Sequence, residues 1–315
     1  RYFFELLILS ILLAFIFIII KNNYDLVKLI PIISFYLFAC YRLMPALQSS
    51  YNSISKLKFT NKSIESLSTE FLKTNLTNSI NYSNQDKKYI NFKKSINFHN
   101  VYFKYPGSKK ENLDDLSVKF KKGSRIGICG KTGSGKTTFI NLLTGLLLPR
   151  SGKILIDDLE LTINNFHLFR KKIGYVPQNT ILIDDTLAAN IALIDKYKNI
   201  DYEKLIEASK KAEIYKFIHE DLTEKFETKI GENGVKLSGG QRQRIGIARA
   251  LYHNPEILIF DEATNALDNL TEKNVFKNVM EIENVTLFVI SHNLEILKDF
   301  DELFYFKDGK LSKED

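Results

Sequence analysis

Two helical membrane spans followed by an α/β domain with a parallel sheet are the fold this sequence predicts, and three observations carry it. The first 50 residues are almost wholly apolar. A glycine-rich turn stands between a short apolar strand and a helix near residue 130. The charge is divided between the two parts: residues 1–50 hold 4 basic and 2 acidic side chains, residues 51–95 hold 8 and 3, and residues 96–315 hold 32 of each. The first 95 residues therefore account for the whole net charge of +7. With 44% hydrophobic and 26% charged residues, the chain as a whole is neither disordered nor a pure membrane bundle.

Tyr2–Ile20 is an apolar run broken only by Glu5 and Ser10. As a helix it is roughly 28 Å long at about 1.5 Å per residue, close to the thickness of a bilayer's hydrocarbon core. No small-residue cleavage site follows it, which favours a transmembrane helix over a signal peptide. Lys21–Asp25 reads as a polar loop and Leu26 to about Leu47 as a second span, with Pro31 near its entry. Such a hairpin returns both ends to one side, and the basic segment 51–95 assigns that side to the cytoplasm. Arg42, close to Pro45, reads equally as a side chain snorkelling to the interface or as one facing a translocation path. The spacing of Leu47, Ile54, Leu57, Ile64, Leu67 and Phe71 continues the helix into the cytoplasm. Residues 1–73 then form a membrane fragment, and the Asn-, Ser- and Lys-rich residues 74–95 a linker to residues 96–315. Cys40 and Cys129 cannot make a disulfide scaffold, and the five histidines show no metal-ligand spacing. An opening at Arg1, with no Met before Met44, suggests part of a longer product.

The strand Arg125–Cys129 leads into Gly130-Lys131-Thr132-Gly133-Ser134-Gly135-Lys136-Thr137-Thr138, which is G-x-x-x-x-G-K-[ST] with a strand before it and a helix, about Lys136–Leu147, after it. Glycines let backbone N–H groups close around phosphates, and the helix points its positive end at them. Lys136 is placed to reach the β- and γ-phosphates, and the Thr137 hydroxyl to ligate Mg²⁺. A second apolar strand, Ile257–Phe260, ends in Asp261-Glu262, a costly place for two acids unless a cation or a reaction needs them. Asp261 would hold Mg²⁺ and Glu262 polarise the attacking water. Together these elements specify a P-loop NTPase.

Leu237-Ser238-Gly239-Gly240-Gln241-Arg242-Gln243-Arg244, with sixteen residues between it and Asp261, joins these elements in resembling the ATP-binding cassette (ABC) family. The resemblance covers about residues 96–315 and implies a P-loop domain with a helical signature subdomain. It implies that Tyr105 stacks on adenine, that Gln178 in Tyr175-Val-Pro-Gln178 touches Mg²⁺ and the membrane domain, and that His292 senses the γ-phosphate. It also implies that Asn265-Ala-Leu-Asp268 crosses a dimer interface, with Asn265 where the family more often has serine. By the same resemblance two such chains, taken as identical half-transporters, sandwich each ATP between the phosphate loop of one and Ser238, Gly239, Gly240 and Gln241 of the other. Since Glu262 and His292 are both present, an active ATPase is expected rather than a regulatory protein with a dead site.

Thr228-Lys-Ile-Gly-Glu-Asn-Gly234 resembles the T-x-V-G-E-x-G loop of ABC exporters, with Ile230 for Val. Membrane spans fused ahead of the ATPase fit exporters too. The resemblance implies a multi-pass protein of the inner (plasma) membrane with its ATPase in the cytoplasm, and a further four helices ahead of the two spans. Tyr41–Ile54 resembles the end of the last span in bacterial flippases for lipid-linked oligosaccharides, which would give Arg42 an anionic pyrophosphate to meet. General lipid flippases and peptide or multidrug exporters are the alternatives. A nucleic-acid partner is disfavoured because the ATPase domain carries no net charge.

Overall fold

The computed structural model describes residues 10–77, apart from 12, 15, 19–20 and 22–25, together with 90–108, 110–193 and 200–313. The expected first span over 2–20, its following loop and the linker over 74–95 lie largely outside these residues. The chain forms two compact units, residues 1–81 and 82–315.

The first unit is dominated by one unbroken helix, α1 (Leu26–Thr77), of 52 residues. The second span, expected to end near Leu47, has no break there, and the helix runs through both Pro31 and Pro45. Along its polar half, hydroxyls bond back to carbonyls of the preceding turn instead of competing for the helix's own amides. Ser53, Thr60 and Ser63 donate to the carbonyls of Ser49, Lys56 and Phe59, and Ser68 and Thr69 both donate to that of Glu65. Between Ile30 and Phe71 this helix is long and apolar enough to cross a membrane, the one such helix among the described residues. Phe35, Phe38, Leu43 and Leu47 are all exposed along it.

The second unit is built on two sheets. In the first, β1 (Ser95–Phe103) is flanked by β2 (Leu113–Lys121) and β4 (Ser151–Ile156), with the short β5 (Leu159–Glu160) beyond β4, all antiparallel. The second sheet has the order β10-β9-β3-β8-β7-β6, formed by β3 (Arg125–Gly130), β6 (Ile173–Val176), β7 (Ile257–Asp261), β8 (Thr286–Ile290), β9 (Glu302–Lys307) and β10 (Lys310–Lys313). It is parallel except for its edge strand β10.

The strands of the parallel sheet are apolar without alternation because both of its faces are covered. Along β7, Ile257 and Ile259 join one core cluster while Leu258 and Phe260 join the other. Along β8, Phe288 and Ile290 face one way, Leu287 and Val289 the other. The first cluster lies between the two sheets and holds the helix that follows the glycine-rich loop, α2 (Lys136–Leu143). The second is covered by α4 (Leu187–Ala192), α5 (Tyr202–Lys211), α6 (Gly239–Tyr252) and α7 (Asn269–Met280), through Ile191, Leu205, Ile245 and Val275. Two further short α-helices are α3 (Phe166–Arg170) and α8 (Leu294–Leu297).

Phe139 fastens α2 in place. Its ring is fully buried and meets Phe98, Phe120, Phe288 and Phe306, with centroid distances of 5.2, 5.9, 6.3 and 5.7 Å. These partners come from both sheets, so a single side chain ties the glycine-rich loop's helix to the whole core. Phe139→Ala should cost about 3–5 kcal/mol of stability, as large core truncations do. Chemical denaturation of the full chain in detergent would measure it.

Candidate active site

Four parallel strands end side by side, and each delivers one part of the site. β3 runs into the glycine-rich loop, β8 into Ser291-His292, β7 into Asp261-Glu262, and β6 into Pro177-Gln178. The carboxyl ends of such strands are where open α/β sheets bind ligands.

The loop is shaped for anions. Gly133 sits at φ 79°, and a Cβ there would meet nothing within 4 Å, so the loop faces open space at this point. Gly135 sits at φ 118°, and a Cβ would come within 2.9 Å of the Asn112 carbonyl oxygen. Gly135 is also the N-cap of α2 and supplies no side-chain acceptor, which leaves the first amides of that helix uncapped. By contrast α4, α5, α6 and α7 are capped by Thr186, Asp201, Ser238 and Asp268. The Lys136 ammonium is buried and donates to the carbonyls of Gly130 (2.6 Å) and Lys131 (3.1 Å). Ser134 Oγ is buried with no hydrogen-bond partner. Open amides, a buried ammonium and an orphaned hydroxyl around one concavity suit a polyphosphate. Lys131, Thr132 and Thr137 are exposed, whereas Thr138 is buried.

Across from the loop lie the acids. Glu262 occupies the left-handed region at φ 51°, an unusual conformation for a non-glycine residue. Its Oε2 accepts from Gln178 Nε2 at 3.3 Å and its Oε1 lies 3.0 Å from His292 Nε2. Two residues predicted from separate stretches of sequence, Gln178 and His292, are thus brought onto the Glu262 carboxylate. Asp261, beside it, accepts a hydrogen bond from the Tyr175 hydroxyl at 3.0 Å. Burial pushes the Asp261 carboxyl above the usual range, with Glu262 adding to the effect, while the Tyr175 hydrogen bond and Lys136 oppose it. Burial, with Asp261 nearby, likewise raises Tyr175.

A Mg²⁺ ion fits these residues. Among the described residues no group of three His, Cys, Asp or Glu could hold a metal alone. Mg²⁺ is commonly held by one or two carboxylates and shares its shell with water and substrate phosphates. One half-buried carboxylate, with an exposed threonine hydroxyl on the loop helix and a glutamine amide, is a donor set of that kind.

Tyr105 is about one-third exposed, 37%, and meets Phe103 edge to face at 4.9 Å. Its backbone N–H donates to Asn112 Oδ1 at 3.1 Å, and the carbonyl of the same Asn112 lies against Gly135. Asn112 therefore joins the aromatic segment to the phosphate loop. No pattern in the residues marks it, since an asparagine between two strands is ordinary.

The signature segment forms a second group. Ser238 Oγ accepts from the Gln241 amide at 3.2 Å, and Gln241 Oε1 accepts from the Ser238 amide at 2.7 Å, a reciprocal cap on α6. Gly239 and Gly240 pass close to Ala266, whose N–H donates to the buried Gln243 side chain at 3.0 Å. Asn265 is exposed. Ser238, Gly239, Gly240, Arg244 and Asp268 line a cavity of about 390 Å³. Among the described residues no hydrogen bond or ion pair joins this group to the phosphate loop. The 228–234 segment also folds back on the chain that follows Gln178: Ile230 N–H donates to Asp185 O at 3.3 Å, and the space beside Gly234 is filled by Leu182.

Residues 113–265 match the ABC transporter family model. This segment is an ABC ATP-binding domain. The chain is 39% identical over 220 residues to the toxin RTX-I translocation ATP-binding protein of Actinobacillus pleuropneumoniae, covering 70% of this chain and 31% of that protein. It is 39% identical over 218 residues to the alpha-hemolysin translocation ATP-binding protein HlyB of Escherichia coli O6:H1, covering 69% and 30%. A solved bacterial Atm1-family ABC exporter with ATP bound superposes with a TM-score of 0.65 at 37% identity, over 70% of this chain and 38% of that one. The chain thus spans about a third of the length of the curated relatives it matches. The names of these relatives describe ATP-binding proteins of translocation.

Removing the Asn112 side chain should free the Tyr105 segment from the loop. This hydrogen bond is exposed, and a typical one contributes about 0.5–1.5 kcal/mol, so Asn112→Ala should weaken ATP binding by roughly 10-fold at most. Fluorescent-nucleotide titration of the full chain would check this.

Proposed function

We propose that this chain provides the ATP-hydrolysing end of an ABC exporter and that the cargo is a polypeptide. The observation that carries the export reading is a helix able to cross a membrane, α1, in the same chain as an ABC ATP-binding domain. The names of the relatives refer to translocation of a toxin and of alpha-hemolysin. They favour a polypeptide over the lipid-linked oligosaccharide suggested by Tyr41–Ile54, and over other lipids.

In this reading the loop residues Gly130–Thr138 cradle the triphosphate, Lys136 releases the Gly130 and Lys131 carbonyls to reach it, and Tyr105 stacks on adenine. Thr137, Gln178 and Asp261 would hold Mg²⁺, which when bound would neutralise charge on the phosphate oxygens. Glu262 orients the attacking water and takes its proton, and His292 donates to the γ-phosphate. In the structure described here both Glu262 oxygens are engaged by Gln178 and His292. Once Gln178 and His292 turn away from it, the Glu262 carboxylate is free for water.

Ser238–Gln241 act on the nucleotide of a second, identical chain. A serine hydroxyl at the start of α6, with the glycine amides behind it, suits a γ-phosphate. The sandwich forms with ATP and loosens after hydrolysis, which makes ATP a ligand of one of two states. The segments around Gln178 and 228–234 carry that closure towards the membrane helices. The protein then resides in the inner (plasma) membrane with its ATPase in the cytoplasm.

Loss of the general base should lower ATP turnover about 10²- to 10⁴-fold in Glu262→Gln while ATP still binds. Phosphate release and nucleotide binding, measured on the same preparation, separate the two effects. Normal turnover would remove Glu262 from the mechanism. For the cargo, the protein expressed from its complete gene would be reconstituted in proteoliposomes with a labelled polypeptide or a lipid-linked oligosaccharide. ATP-dependent movement of the polypeptide, abolished by Glu262→Gln, is expected. Movement of the oligosaccharide alone would restore the flippase reading.

A further inference from the structure

Tyr175 stands at the carboxyl end of β6, three residues before Gln178, and pairs in register with Ile259 of β7. Ile259 and Asp261 are two apart on the same strand and so project to the same face of the sheet. The Tyr175 hydroxyl crosses from β6 to β7 and donates to Asp261 Oδ2 at 3.0 Å. The ring packs against the core cluster that also holds α2, the helix of the phosphate loop. A phenol packed this way has little freedom, so the bond fixes the torsion of the carboxylate it meets.

We propose that Tyr175 is a positioning residue for Mg²⁺: it occupies one oxygen of Asp261 and turns the other towards the nucleotide's metal. This rests on the reading of Asp261 as a metal ligand, and deepens it. The chemistry is that of an outer-shell donor, whose removal commonly costs 10- to 100-fold in metal affinity without touching the metal. The same residue links the strand that carries Gln178 to the strand that carries Asp261. Two metal-directed side chains are thereby held in one cross-strand frame, so a shift of the Gln178 segment alters how Asp261 is presented.

The test uses the full chain in detergent with the Glu262→Gln substitution, so that nucleotide is bound without turnover, and Mn²⁺ as the spectroscopic probe. Electron paramagnetic resonance gives the Mn²⁺ affinity of the ATP complex, and titration in EDTA gives metal-free ATP affinity. With Tyr175→Phe, Mn²⁺ affinity should fall by about 10-fold or more while ATP affinity in EDTA and the unfolding midpoint stay unchanged. An unchanged Mn²⁺ affinity overturns the proposal. So does an equal loss of ATP affinity in EDTA, which would mark a packing role. Asp261→Asn, measured alongside, separates the two readings. If it abolishes Mn²⁺ binding while Tyr175→Phe does nothing, only the role of Tyr175 falls. If neither variant changes Mn²⁺ affinity, the assignment of Asp261 falls with it.

Discussion

Burial of the parallel sheet on both faces is the constraint from which the rest of this domain follows. With apolar layers above and below, side chains along β7 and β8 have no route to water, and polar groups are tolerated only where the strands end. The acids, the histidine, the glutamine and the glycine loop all occupy those ends. Neighbouring strands lie about 5 Å apart, so consecutive ends place their residues within hydrogen-bond reach without any further design. The contact of Gln178 and His292 with Glu262 is this spacing expressed in side chains.

The parts of the site that were legible in the sequence are those whose chemistry demands unusual residues. Glycine at 130, 133 and 135 is written into the sequence because each has a positive φ, and Asp261-Glu262 stands out because two acids end an apolar strand. Tyr175 and Asn112 were not legible as site residues. A tyrosine in a strand and an asparagine in a connection are what any fold contains, and their roles exist only once β6 meets β7 and the β1–β2 connection meets the loop. The continuation of α1 beyond Leu47 was legible in the spacing of Leu47, Ile54, Leu57, Ile64, Leu67 and Phe71, which is that of one helix. The cargo was least legible, since an engine shared by many exporters carries little trace of what it moves.

The contrast among helix N-termini has a related logic. At α5 and α7 an acidic side chain closes the open amides. At α2 the same need is left unmet by any side chain, and the open amides face the glycine-rich loop. The signature helix α6 lies between these cases. Ser238 and Gln241 cap each other, which holds the segment rigid while the serine's own hydroxyl proton stays available to an outside oxygen.

The length of α1 has a mechanical meaning. A helix of 52 residues measures about 78 Å end to end, more than twice a bilayer's hydrocarbon core. Pro31 and Pro45 each lack the amide hydrogen that would bond four residues back, so such a rod yields most readily at those two points and is stiffest along the stretch beyond Pro45.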